Sequence, residues 1–100
     1  MAAEVRWSAR ARREFNTALS YLNRRQPDAI GTVAMAIASQ VQRLQGQPYL
    51  GAVFQRTRRG EVRETLAANY RIFYRVQYDG SVVRVVSVRH ARRKNPDFSK

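Results

Sequence analysis

The apolar positions along the chain change period twice, and those changes divide it into elements. "EVRW" alternates Val5 and Trp7 against Glu4 and Arg6, the two-residue period of a short strand. Ser8 follows where a helix N-cap belongs, its hydroxyl able to accept from an orphan backbone N–H. Ala11, Phe15, Ala18, Leu19 and Leu22 then recur at helical spacing, with Arg12, Arg13, Asn16 and Ser20 facing away. This helix is expected to end near Arg24–Gln26, because Pro27 disfavours helical geometry in the residue before it. A second helix is predicted from Pro27-Asp28, with proline tolerated and an acid favoured in its first turn. Its stripe is Ile30, Val33, Ala34, Ile37, Val41 and Leu44. Gly46 reads as a left-handed stop sealed by Pro48. Two helices joined so tightly form an antiparallel hairpin.

Residues 47–60, "QPYLGAVFQRTRRG", read as a loop or irregular edge ending in the basic cluster Arg56, Arg58 and Arg59. Three strand patterns follow. "EVRETL" places Val62 and Leu66 on one face and Arg63 and Thr65 on the other; "YRIFYRVQY" and "SVVRVVSVRH" come next. Between the last two, Tyr78-Asp79-Gly80-Ser81 reads as a hairpin with a two-residue turn, Asp-Gly supplying the positive φ angles. The predicted order is β-α-α-β-β-β, an α+β fold with a helical hairpin on one face of a small antiparallel sheet. In the middle strand Tyr70, Ile72, Tyr74, Val76 and Tyr78 should meet the helices, and Arg71, Phe73, Arg75 and Gln77 should look the other way. In the last strand simple alternation groups Val83 and Val85 with Arg89, and Val82, Val86 and Val88 with Arg84 and His90. Apolar residues on both faces suggest an interior strand, and the face taken by His90 stays open.

Length and composition narrow the class. One hundred residues suit a single domain, 1–100, with one modest core. An apolar content of 44% with 10% aromatics excludes a disordered tail. The absence of cysteine excludes disulfides and thiolate metal sites and fits a reducing compartment. Charges at Glu4, Arg6 and Arg10 leave no apolar stretch for a signal peptide, and Arg or Lys interrupts every run that could span a membrane. A soluble, cytoplasmic protein is expected.

The charge changes the picture more. Nineteen Lys+Arg face seven Asp+Glu, for a net charge of +12. Only Lys94 and Lys100 are lysine; the other cations are arginine. Arg presents a planar fork that pairs bidentately with phosphate or carboxylate and stacks on rings, which Lys does not. An Arg-favouring genome accounts for part of that choice but not for the shortage of acids. Such a field steers the protein toward a polyanion, either nucleic acid or a strongly acidic protein segment.

Candidate chemistry is sparse. One histidine, no cysteine and no acid pair at ligand spacing argue against zinc or iron, and no Gly-rich phosphate loop is present. No cofactor or small-molecule substrate is therefore expected. Ser-His-acid catalysis would rest on His90 alone, with no nucleophile elbow near any serine. RNA cleavage through the ribose 2′-hydroxyl needs less: proton donors and acceptors, and cations for the charge on phosphorus. His90 suits either proton role, and Arg71, Arg63, Arg89 or Arg92 could hold phosphate. The competing reading of His90 is a strand-end residue satisfied by a backbone carbonyl. For Arg71 and Arg75 it is a solvated sheet face, although Phe73 between them would be an awkward exposed aromatic.

Four segments in order resemble one family over nearly the whole chain: "VRWSARARREF", "LQGQPYLG", "VRETLAANYRIFYRV" and "VVSVRHARR". The resemblance is to the RelE/ParE superfamily of bacterial type II toxins, whose fold has the order predicted above. It implies a toxin neutralised by a cognate antitoxin, encoded beside it, through an acidic segment that folds on binding. It also implies one of two mechanisms. RelE-like members cleave mRNA on the ribosome; in that case Arg71, His90 and Arg92 would be the catalytic set. ParE-like members poison DNA gyrase; Arg63, Phe73, Arg75, Arg89, Arg93 and Phe98 would then belong to a binding surface. Phe98 stands where a RelE-type tyrosine would fall, His90 precedes the extreme C-terminus, and no glutamate occupies a base position. The "WSARARREF" helix and the "RHARR" ending resemble the ParE side.

Overall fold

The computed structural model describes residues 2–99. The elements are β1 (Glu4–Trp7), α1 (Ala9–Arg25), a short 3-10 turn at Pro27–Ala29, α2 (Ile30–Gly46), β2 (Ala52–Thr57), β3 (Gly60–Ala67), β4 (Tyr70–Gln77) and β5 (Val82–His90). Five strands form one mixed sheet in the order β1-β5-β4-β3-β2. β1 lies parallel to β5, with Glu4 opposite Val82 and Trp7 opposite Val85; every other pairing is antiparallel. The α+β architecture with two helices on a sheet is as the sequence predicts. The sheet differs from the prediction in having one more strand and one parallel edge.

The helices begin and end for local reasons. The Ser8 hydroxyl accepts from the Ala11 N–H at 3.0 Å and donates to the Val86 carbonyl at 3.3 Å, so it caps α1 and ties it to β5. α1 ends as expected, at Gln26, immediately before Pro27. α2 is closed at Gln47, whose N–H donates to the Arg43 carbonyl at 3.1 Å, and Gly46 is its last helical residue rather than a left-handed stop. Ile37 and Leu44 of α2 are fully buried, and Gln40 Nε2 donates to Thr65 Oγ1 of β3 at 2.6 Å.

The missed strand β2 lacks alternation because it carries a bulge between Val53 and Gln55. The extra residue, Phe54, turns its ring onto Phe73, centroids 4.9 Å apart. A second bulge resolves the ambiguous phasing of β5. Phe73 pairs with Ser87 and Tyr74 with Val85, which leaves Val86 as the extra residue. The bulge brings Val83 and Val85 into phase with Val88 and His90, not with Arg89. Val83, Val85 and Val88 accordingly pack under the helices, while Val86 packs with Phe73 on the opposite face.

The turns also differ from the prediction. Gln77 pairs with Val82, so residues 78–81 form a longer loop with Tyr78, Asp79 and Gly80 all at positive φ. Tyr78 points into solvent, 71% exposed, and does not join the helix face. A two-residue turn with both residues at positive φ lies instead at Ala68-Asn69, φ 48° and 68°, between the paired Ala67 and Tyr70. Gly51 is required by close approach: a Cβ there would meet the Glu64 carbonyl oxygen at 2.5 Å and the Tyr74 hydroxyl at 2.7 Å. Its N–H donates to that hydroxyl at 2.8 Å, which satisfies the one polar atom of a fully buried side chain.

Candidate functional site

The sheet has two covered faces, and the predicted site residues divide between them. Under the helices lie Ile37, Val41, Tyr70, Ile72, Val85 and Val88, continuous with Leu44, Tyr74 and Val83. The other face is not a solvated cationic surface. After β5 the chain turns back and straps across it. Phe98 is only 9% exposed, with its ring 5.4 Å from that of Phe73 and 6.3 Å from that of Phe54. Phe73 is fully buried in this second core together with Val62. The aromatic flanked by arginines is therefore explained by a cover from its own chain.

Hydrogen bonds fasten the strap. Gln55 Nε2 donates to Asp97 at 2.8 Å, and the Phe98 N–H donates to Gln55 Oε1 at 2.9 Å. Arg71 pairs with Glu64 through Nε and donates from Nη1 to Asn95 Oδ1 at 2.8 Å, its guanidinium 5.0 Å from the Phe73 ring centre. Arg89, opposite Arg71 on the neighbouring strand, donates to the Lys94 carbonyl at 2.7 Å. Burial, then the nearby Arg93, pull its pKa below the ordinary guanidinium value, while Glu14 opposes them. Arg10 of α1 reaches the same region, 5.4 Å from the Phe98 ring centre.

Two predicted binding residues serve the scaffold. Arg75, 8% exposed, donates from Nη1 to Thr57 Oγ1 at 2.9 Å and to the Gly60 carbonyl at 3.2 Å. It thereby holds the β2–β3 turn, and burial lowers its pKa. Arg63 donates to the Gly51 carbonyl at 2.7 Å, pairs with Glu61 and stacks on Tyr49, pinning the loop that enters β2.

His90 takes the helix face. It pairs with Tyr70 across the strands and meets that ring edge-on at 5.3 Å. Its Nδ1 accepts from the Arg92 N–H at 3.1 Å, and its carbonyl accepts from the Arg93 N–H at 3.0 Å. It stands in a groove of about 740 Å³ between α1 and the end of β5, floored by Ala18, Tyr70 and Val88. Arg13 and Tyr21 form the helix wall, and Arg92 and Arg93 form the opposite one. Burial raises the Tyr70 phenol above its ordinary pKa, with a smaller contribution from Tyr21. The structure thus brings His90, Arg92 and Arg93 together and places Arg71 on the other side of the sheet.

Arg13, Glu14 and Tyr21 did not stand out in the sequence as groove residues. The available signal was a second stripe on α1, Arg13-Thr17-Tyr21, beside the apolar one. Glu14 accepts from Ser87 Oγ at 2.7 Å and from the Val88 N–H at 3.1 Å, closing the edge of β5 beyond the end of β1. Among the described residues there is no cluster of three metal-ligating side chains and no helix long and apolar enough to cross a membrane.

A family model for the ParE toxin of the type II toxin-antitoxin system parDE matches residues 5–95. The fold is also that of a chromosomal ParDE system from P. aeruginosa, with a TM-score of 0.72 at 14% identity over 91% of this chain and 98% of that one. The RelBE2 toxin-antitoxin complex of Mycobacterium tuberculosis gives a TM-score of 0.61 at 20% identity, covering 90% and 99%. The E. coli toxin RelE, as a mutant in the free state, gives 0.58 at 22% identity, covering 92% and 86%. No curated protein sequence matches significantly. The chain belongs to the ParE toxin family of type II toxin-antitoxin systems.

Proposed function

We propose that this ParE-family toxin arrests growth by poisoning DNA gyrase through protein–protein contacts, and that a cognate antitoxin neutralises it. The observation that carries this reading is the separation of the candidate nuclease residues. Arg71 is ion-paired with Glu64 and held by Asn95 beneath the strap, while His90 and Arg92 lie on the helix face. A 2′-hydroxyl cleavage site needs its proton-transfer group and its phosphate-binding cation around one phosphorus. His90 is instead engaged in a turn, accepting the Arg92 N–H. Exposed cations on α1 and on the segment after β5 offer a broad surface suited to an acidic protein target.

A ribosome-dependent mRNA endonuclease is the second reading. It draws on the cross-strand pair Arg71 and Arg89, with Arg10 and Arg93 contributing to the field at Arg89. Inducing the chain alone in a bacterium and pulse-labelling DNA and protein synthesis separates the two. Gyrase poisoning gives an early stop in DNA synthesis, filamentous cells and intact mRNA. An early stop in translation with codon-spaced mRNA cuts would overturn the proposal. His90→Gln, which keeps an acceptor near the Arg92 N–H, should leave growth arrest unchanged.

A further inference from the structure

We infer that the end of the sheet bearing the β4–β5 loop is a binding site for single-stranded nucleic acid, with Tyr78 stacking on a base and Arg6 and Arg84 holding the adjoining phosphates. The inference goes beyond the growth-arrest reading and does not depend on which target that arrest uses.

Strand register builds a row of arginines. Arg6 stands opposite Arg84 on β5, and Arg84 stands opposite Arg75 on β4. Val5 and Trp7, Val83 and Val85, and Tyr74 and Val76 pack under the helices, so the arginines between them share the opposite face. Adjacent strands lie about 5 Å apart, and like charges directly opposite one another oppose folding. Little in the chain offsets them. Arg6 pairs with Glu4, but Arg84 forms no hydrogen bond or ion pair among the described residues. Arg75 bonds only to neutral oxygens, of Thr57 and Gly60; burial and then the nearby Arg59 disfavour its charge. The strap's hydrogen bonds go to Gln55, Arg71 and Arg89, and Arg84 stays half-buried.

The loop that closes this end carries the second feature. Tyr78 holds φ at 53°, a conformation that suits glycine or asparagine and that a bulky side chain rarely adopts. The Ser81 N–H and hydroxyl fix it there, donating to the Tyr78 carbonyl at 3.1 Å and 2.9 Å. The side chain is largely exposed, and among the described residues no ring or guanidinium stacks on it. The neighbouring Tyr49 differs: Arg63 lies 5.0 Å from its ring centre, and its ring edge stands against Gly80. The Glu4 carboxylate, and more weakly Tyr78, favour the charged form of Arg6, which places the Tyr78 ring beside the row. A strained backbone that presents a bare ring gains no packing in return, and such outliers cluster at binding sites.

The combination of row and ring decides the ligand. A nucleic-acid strand repeats its phosphate charge along the chain, and guanidinium forks receive phosphate oxygens directly. Each base adds a π-face for Tyr78, whatever the sequence. An acidic protein segment would supply the charge but leave the bare ring unmatched. In a duplex the bases stack on one another, so the ring selects a single strand.

The test measures fluorescence anisotropy of a labelled single-stranded DNA of about ten nucleotides titrated with the full chain. This probe lacks the 2′-hydroxyl, so binding is read apart from any RNA cleavage. Tyr78→Asn removes the ring and suits the left-handed backbone; Arg84→Gln removes one charge from the row. Both should melt no lower than wild type by circular dichroism, since each relieves an unfavourable feature. Tyr78→Asn should nonetheless weaken binding at least about fivefold. Arg84→Gln should weaken it too, and reduce the slope of log affinity against log salt by about 0.7. The control Arg24→Gln, at an exposed position on α1 with the same loss of charge, should keep affinity within about twofold. Equal weakening by Arg84→Gln and Arg24→Gln would reduce the site to the overall field of the +12 chain and overturn the proposal. Unchanged affinity in Tyr78→Asn would do the same. So would a lower melting temperature in both variants, which would make Tyr78 and Arg84 residues of the fold. A duplex bound as tightly as the single strand, or polyglutamate displacing the probe as well as unlabelled DNA does, would also overturn it.

Discussion

The two faces of the sheet use the same alternating strands but are covered in different ways. One face is sealed by two helices continuous with long stretches of chain, and its centre, Tyr74, is fully buried with its hydroxyl satisfied by the Gly51 N–H. The other is covered by a few residues at the end of the chain, held by Phe98 and by side-chain bonds from Gln55, Arg71 and Arg89. A helix-covered face can be opened only by unfolding the protein. A strap can leave and return while the sheet stays intact, since its described residues form no ladder with any strand. The difference teaches where a variant should unfold the molecule and where it should only uncover it.

The largest effect is expected at Tyr74. Tyr74→Asp puts an unpaired charge among Leu44, Val83 and Ala3 and should remove about 4 kcal/mol or more, abolishing the cooperative melt. A soluble variant that melts cooperatively would show that this face tolerates opening and would break the contrast. Phe98→Ala should cost about 2 kcal/mol, less than a full core deletion because the strap can detach. Hydrogen exchange should then quicken at residues 94–99 while the amides of β4 stay protected. Uniform loss of protection across both regions would show one cooperative unit rather than two covers. Glu14→Ala leaves the Ser87 hydroxyl and the Val88 N–H without their acceptor and should cost about 1–3 kcal/mol, read as a lower melting temperature. Since Arg10 joins Glu14 to the strap-side Phe98, this variant measures how far the two faces are linked at the β5 edge.

The smallest effect concerns alkali. Burial raises the Tyr74 phenol above its ordinary pKa, opposed by the Gly51 N–H and Arg63. The neutral phenol is the form the fold tolerates, so the unfolded chain ionises first as pH rises. The Tyr74 contribution is fully present below the unfolded tyrosine pKa of about 10 and is lost as pH climbs through the raised folded value. Tyr74→Phe should cost about 1 kcal/mol at neutral pH, from the orphaned Gly51 N–H, and should flatten the decline above about pH 10. An unchanged alkaline decline in that variant would assign the loss to other groups.

Much of this architecture could be read from local pattern. Ser8, Pro27 and the two apolar stripes place the helices, because capping and helical period act within a few residues. The middle strand's alternation correctly separates Tyr70, Ile72 and Tyr74 from Arg71 and Phe73. The readings that failed lie where a bulge or a turn interrupts the period. Phe54 and Val86 are each one residue too many for strict alternation, and that hid β2 and misphased β5. The turn at Ala68-Asn69 lacks the Asp-Gly signature that Asp79-Gly80 displays, and its positive φ angles follow from the register of the strands it joins.

The sequence by itself determined the two helices, four of the five strands, the toxin family and the excess of arginine, since composition and near-neighbour spacing suffice for these. Only the tertiary structure decided what each arginine faces. Arg71 and His90 stand on opposite sides of one sheet, Arg63 and Arg75 are turned inward to hold loops, and Arg13 meets Arg93 across a groove. Residues far apart in the chain set those neighbours, through strand register and through a C-terminal strap whose contact with Phe73 no local pattern encodes.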